Sequence, residues 1–122
     1  MGILKMARPP SLREGERVLA SLVANHIQGG RPIDGRLYLT SQRLMFMPQG
    51  AGIVRGGKSS SIPWSAVATS DVAERGWGEA STRRRLRVTR VSGEVELYVV
   101  WRPVKAARQV DEARHSSTER AG

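Results

Sequence analysis

The sequence predicts a mostly-β domain of about seven antiparallel strands followed by one C-terminal helix. Three observations predict it. Gly35–Thr40 and Arg43–Pro48 are two runs of β-formers separated only by Ser41-Gln42, and Arg84–Arg90 and Val95–Trp101 flank a second turn dipeptide, Ser92-Gly93. After Pro103, which suits the first turn of a helix, Val104, Ala107, Val110 and Ala113 recur at helical spacing.

Size and composition bound the rest. A chain of 122 residues with 39% hydrophobic content can bury one modest core, and two domains would leave neither enough. There is no Cys, which excludes a disulfide scaffold, a zinc-thiolate site and a thiol nucleophile. No run approaches the ~20 apolar residues of a membrane span, and the opening Met-Gly-Ile-Leu-Lys-Met lacks the apolar stretch of a signal peptide. Met6 stands where a myristoylation pattern needs Ser or Thr. The expected location is cytoplasmic.

The elements follow in order. Residues 1–13, with Arg8-Pro9-Pro10-Ser11, read as a flexible lead-in, 14–114 as the domain, and 115–122 as a fraying tail. From Glu16 to Ile27 periodicity allows helix or strand, and the turn residues Gln28-Gly29-Gly30-Arg31-Pro32 favour strand. A two-residue turn at Ser41-Gln42 sets Leu39 against Leu44 and Leu37 against Phe46 on a core face, with Tyr38 against Met45 and Arg36 against Met47 outside. Gln49–Ser60 is a Gly-rich, flexible loop. Ser61–Trp64 is extended, with Pro63 marking an edge or a strand start, and Val67–Glu74 is a strand. A second loop, 75–82, carries Trp77 between two glycines. Pairing about Ser92-Gly93 as a two-residue turn sets Leu86 against Val99, Val88 against Leu97, Arg87 against Tyr98 and Thr89 against Glu96.

Gly35–Phe46 (GRLYLTSQRLMF), Ser61–Val67 (SIPWSAV), the opening Glu14-Gly15-Glu16-Arg17-Val18 and the closing Gly93-Glu94 resemble the GRAM domain family, within the pleckstrin-homology-like (PH-like) superfold. The resemblance spans about Leu12 to Ala113. It implies a partly open barrel of two packed sheets plugged by the C-terminal helix, which would cover the open mouth and edges of a short antiparallel barrel. It also implies a stand-alone, non-catalytic module that binds anionic lipid or protein; the Arg-rich composition suggests a bacterial, GC-rich source.

Catalytic constellations fail on their chemistry. Gly52–Ser59 satisfies the phosphate-loop spacing G-x-x-x-x-G-K-S. Phosphate binding there needs a following helix, whereas Ser60–Trp64 reads as extended, so the match is accidental, although Arg55 and Lys58 remain able to touch an anion. The two histidines, His26 and His115, belong to no ligand-spaced cluster, so no metal and no cofactor are expected. His26 reads as a turn or surface residue. No G-x-S-x-G elbow occurs, and Glu94 and Glu96 are expected to pair with Arg.

The formal charge of +9, from 20 basic and 11 acidic residues, has two explanations: codon bias, since 17 of the 20 are Arg, or a binding surface. By the resemblance, Arg31, Arg55, Lys58 and Arg90 would gather at one open end of the barrel as anion-binding loops. Arg83, Arg85 and Arg87 project from one strand face near Trp77 as a second basic and aromatic surface, or form a solvated row. Tyr38, Met45 and Met47 form a possible protein contact. The expected function is docking on an anionic lipid surface, peripheral on the inner face of the plasma membrane, or on an acidic protein. Nucleic acid binding through Arg83–Arg87 and Trp77 and self-association as a structural subunit are the alternatives. No small-molecule substrate is expected, and the chain should be a monomer or weak homodimer.

Overall fold

A computed structural model describes residues 11–74 and 84–121 of the chain, with side chains to residue 117. The strands are β1 (Val18–Gln28), β2 (Arg31–Thr40), β3 (Arg43–Pro48), β4 (Ser60–Pro63), β5 (Val67–Ala73), β6 (Arg85–Arg90) and β7 (Val95–Val100). A single helical turn, α1 (Ala51–Val54), lies between β3 and β4, and α2 (Pro103–Ala121) closes the chain. All seven strands join one antiparallel sheet in the order β4-β3-β2-β1-β7-β6-β5. This is the predicted class, mostly β with a C-terminal helix.

The first hairpin has the predicted register, with Leu39 opposite Leu44, Leu37 opposite Phe46, Tyr38 opposite Met45 and Arg36 opposite Met47. Ser41-Gln42 contains neither Gly nor Asn, and no described residue other than Gly has positive φ, so the usual tight hairpin turn is not formed. The Thr40 hydroxyl takes its place. It accepts the amides of Gln42 at 3.1 Å and Arg43 at 2.9 Å, a side chain standing in for the missing ladder bond.

The second hairpin corrects the expectation. Arg90 N–H donates to the Glu94 carbonyl and Gly93 N–H to that of Arg90, both at 2.8 Å, so the connection is the three residues Val91-Ser92-Gly93. Gly93 takes φ 99°, the left-handed step that ends such a loop. The extra residue slips the register by one: Leu86 faces Tyr98, Arg87 Leu97, Val88 Glu96 and Thr89 Val95. Because side chains alternate, the slip turns Tyr98 into the core in place of Leu97 and Val99.

The core joins Leu37, Leu39, Leu44 and Phe46 of the first hairpin to Leu86, Val88, Tyr98 and Val100. The Phe46 and Tyr98 rings lie 6.3 Å apart although β2 and β1 separate their strands, which requires the sheet to curl onto itself. Ala106, Val110 and Ala113 of α2 seal the core, and Ser70 on β5 donates to the Ala107 carbonyl at 2.9 Å. Val104, expected on that apolar stripe, is 50% exposed instead, because the buried face follows the i, i+4, i+7 set from Ala106. The helix also continues to Ala121, past His115 where fraying was expected. Among the described residues no helix is long and apolar enough to cross a membrane.

Candidate functional site

Gln49–Ser60 is not the flexible loop the sequence suggests. Gln49 N–H donates to the Asp34 carbonyl at 3.0 Å, and Gly57 N–H to that of Gly52 at 2.8 Å. Gly52 packs so closely on the backbone of Asp34 that any Cβ would collide with the Asp34 carbonyl oxygen. The helical turn α1 therefore precedes the basic part of the phosphate-loop-like segment, and the extended β4 follows it. The helix N-terminus that a nucleotide site would need after Lys58 is replaced by a strand.

This loop forms one wall of an open cleft of about 450 Å³, lined by Arg31, Lys58, His26, Gln28 and Glu96 among others. Gln28 clasps the wall in place. Its Oε1 accepts the Lys58 amide at 3.0 Å and its Nε2 donates to the Lys58 carbonyl at 2.8 Å. Those two backbone groups fix which end of the amide is nitrogen, so the 3.0 Å contact of Nε2 with His26 Nδ1 makes Nδ1 the acceptor and leaves Nε2–H to donate to Glu96 at 2.8 Å.

His26 is thus not the surface residue expected. It is 6% exposed, stacked on Tyr98 at 4.7 Å with Phe46 at 5.1 Å. Its Glu96 partner lies 70 positions away, and no sequence spacing signals such a pair. The His26 hydrogen bond, helped by Arg90, holds the Glu96 carboxyl below its ordinary range against the opposing effect of burial. Burial drives the Tyr98 hydroxyl well above its ordinary value.

The four loop cations are therefore not equivalent. Arg31 and Lys58 line the cleft and are exposed, and Arg55, also exposed, precedes Gly56 in its wall. Arg90 is committed to the acids, as expected of Glu94 and Glu96: its Nη2 lies 3.3 Å from Glu96, and its Nε 4.0 Å from Glu94.

The second basic surface is described only at Arg85 and Arg87. Trp77 and Arg83 lie outside the described residues. Arg85, expected to project outward, is 3% exposed, stands opposite Ala73 in the sheet and has a partner for its side chain. Arg87 forks onto the Asp71 carboxylate at 2.8 and 2.7 Å, which lowers the Asp71 carboxyl and raises the guanidinium. The proposed contact face of the first hairpin is likewise largely closed. Tyr38 and Met45 are each 4% exposed and Met47 is half-buried, and Gln49 Nε2 reaches the Tyr38 hydroxyl at 3.5 Å. Among the described residues no group of three His, Cys, Asp or Glu is placed to hold a metal ion.

Neither a family model nor a curated protein matches this sequence. Solved structures do. One is the N-terminal PH domain of Vps36, at 20% identity, covering 90% of this chain and 85% of that one with a TM-score of 0.60. Another is the C-terminal domain of an unknown protein from Leishmania infantum, at 16% identity, covering 83% and 85% with a TM-score of 0.60. The chain has a PH-like fold.

Proposed function

We propose that the chain is a GRAM-like, non-catalytic module that docks on an anionic membrane surface, peripheral to the inner face of the plasma membrane, through the basic end of its barrel. One observation carries the reading. Arg31 and Lys58, 27 positions apart in sequence, come to one cleft, with the exposed Arg55 next in sequence to its lining residue Gly56, while the acid in that cleft, Glu96, is already answered by His26 and Arg90. Each cation near an anionic surface contributes up to ~1 kcal/mol, so the three together supply about 10²-fold, weakened by salt.

Co-sedimentation with vesicles of phosphatidylcholine, with and without phosphatidylserine, at two salt concentrations tests this. The expected result is salt-sensitive pelleting with the anionic vesicles only, lost in the Arg31→Gln, Arg55→Gln, Lys58→Gln variant. Failure to pellet, together with retardation of a nucleic acid in a gel shift or with capture by an acidic protein, would replace the membrane reading.

A further inference from the structure

The same loop that supplies two of these cations exposes two large apolar side chains beside them. Ile53 is 63% exposed and Val54 86% exposed. Their exposure is imposed by the fold. Gly52 is pinned against the Asp34 backbone, and the loop is further tied at Gln49, Gly57 and Lys58. A residue advances about 100° around a helix, so Val54, about 200° beyond Gly52, faces away from the protein. Arg55 follows at once, and no acid occurs anywhere from Gln49 to Ser60.

We infer that Ile53 and Val54 are a membrane wedge, which enters the apolar edge of an anionic bilayer while Arg55, Lys58 and Arg31 meet the headgroups. The inference rests on the membrane reading proposed above and extends it from adsorption to insertion. The occupant follows from shape and charge. A convex tip of two aliphatic side chains is far smaller than the roughly 800 Å² per partner of a specific protein interface. A bilayer needs no matching pocket: it offers an anionic plane directly above a deformable apolar layer, and this acid-free loop carries exposed cations and exposed aliphatic groups side by side. The insertion term is also insensitive to salt, unlike the cation term.

The chain contains no Cys, so Val54→Cys gives a unique attachment point for an environment-sensitive fluorophore. Added phosphatidylserine vesicles should shift the probe's emission to the blue, and spin-labelled lipid should quench it. Ile53→Ser with Val54→Ser should lower vesicle affinity about 10- to 100-fold and abolish the fraction that stays bound at high salt. Since both side chains are exposed, thermal unfolding of the double variant should match the unsubstituted protein, which separates lost insertion from lost folding. If the protein pellets with anionic vesicles while the probe remains in water and the double variant binds equally, the wedge is wrong and electrostatic docking survives. If the unsubstituted protein does not pellet at all, the docking reading falls and the wedge with it.

Discussion

The Glu16 carboxylate and the Arg43 guanidinium meet fork to fork, Nε to Oε2 at 2.8 Å and Nη2 to Oε1 at 3.0 Å, with the Glu16 side chain wholly out of solvent. Thr40 adds a 2.6 Å hydroxyl bond and Arg13 a 2.8 Å amide bond to the same carboxylate. Arg43 also reaches the Ser11 carbonyl at 3.2 Å and the Ser61 hydroxyl at 3.3 Å. The pair therefore ties the lead-in, the turn of the first hairpin and the edge strand β4 into one network.

That network should make stability fall in acid. Arg43, assisted by Thr40 and Arg13, holds the Glu16 carboxyl at about 2, against an ordinary value of 4.5, despite burial. A depressed carboxyl stabilises the fold fully above its unfolded value and loses the contribution as pH falls from about 5 to about 2, a change of roughly 3 kcal/mol. Glu16→Gln should cost about 3–5 kcal/mol at neutral pH by stranding Arg43, and should flatten the acid limb of a denaturation series followed by circular dichroism. Parallel acid limbs in the two proteins would show that Glu16 is not the group responsible.

The register of the second hairpin can be read from two adjacent truncations. Tyr98→Ala should cost about 3–5 kcal/mol in urea unfolding, since Tyr98 is wholly buried, whereas Val99→Ala should cost about 1. Comparable losses at both positions would contradict the observed pairing.

Gly52→Ala tests whether α1 is fixed by backbone contact. With no space for a Cβ against Asp34, the turn must lift, costing about 1–3 kcal/mol and speeding amide exchange across residues 49–57. Unchanged exchange would mean that the loop absorbs the methyl without moving.

Gln28→Leu removes both hydrogen bonds that hold the Lys58 backbone. The Lys58 amide should then exchange about fivefold faster, as expected for a bond worth about 1 kcal/mol at a partly exposed site, with little change in global stability. A global loss instead would assign Gln28 to the core through its contact with His26.

Much of the fold is legible in the sequence because it is written locally. The first hairpin declares its face by alternation over ten residues, so alternation alone assigns Leu37, Leu39, Leu44 and Phe46 to the core, where they lie. The second hairpin is not legible in the same way, because Ser92-Gly93 is compatible with two loop lengths and the left-handed step at Gly93 that selects the longer one is invisible in composition. The loop cations are legible as charges. The gathering of Arg31 and Lys58 in one cleft with the His26–Glu96 pair is not, because that pair alone joins residues 70 positions apart.

By itself, then, the sequence determined the strand-rich class, the register of the first hairpin, the lack of cysteine chemistry and a large positive charge, all properties of composition or of contacts a few residues long. Only the tertiary structure decided which charges are spent internally, on Glu16–Arg43, Arg87–Asp71 and Arg90–Glu96, and which remain at the surface beside Ile53 and Val54. The physical reason is that a charge's role depends on its partners and its burial. Both are set by strand pairing and by the curl of the sheet, which place side chains beside partners that sequence order alone does not specify.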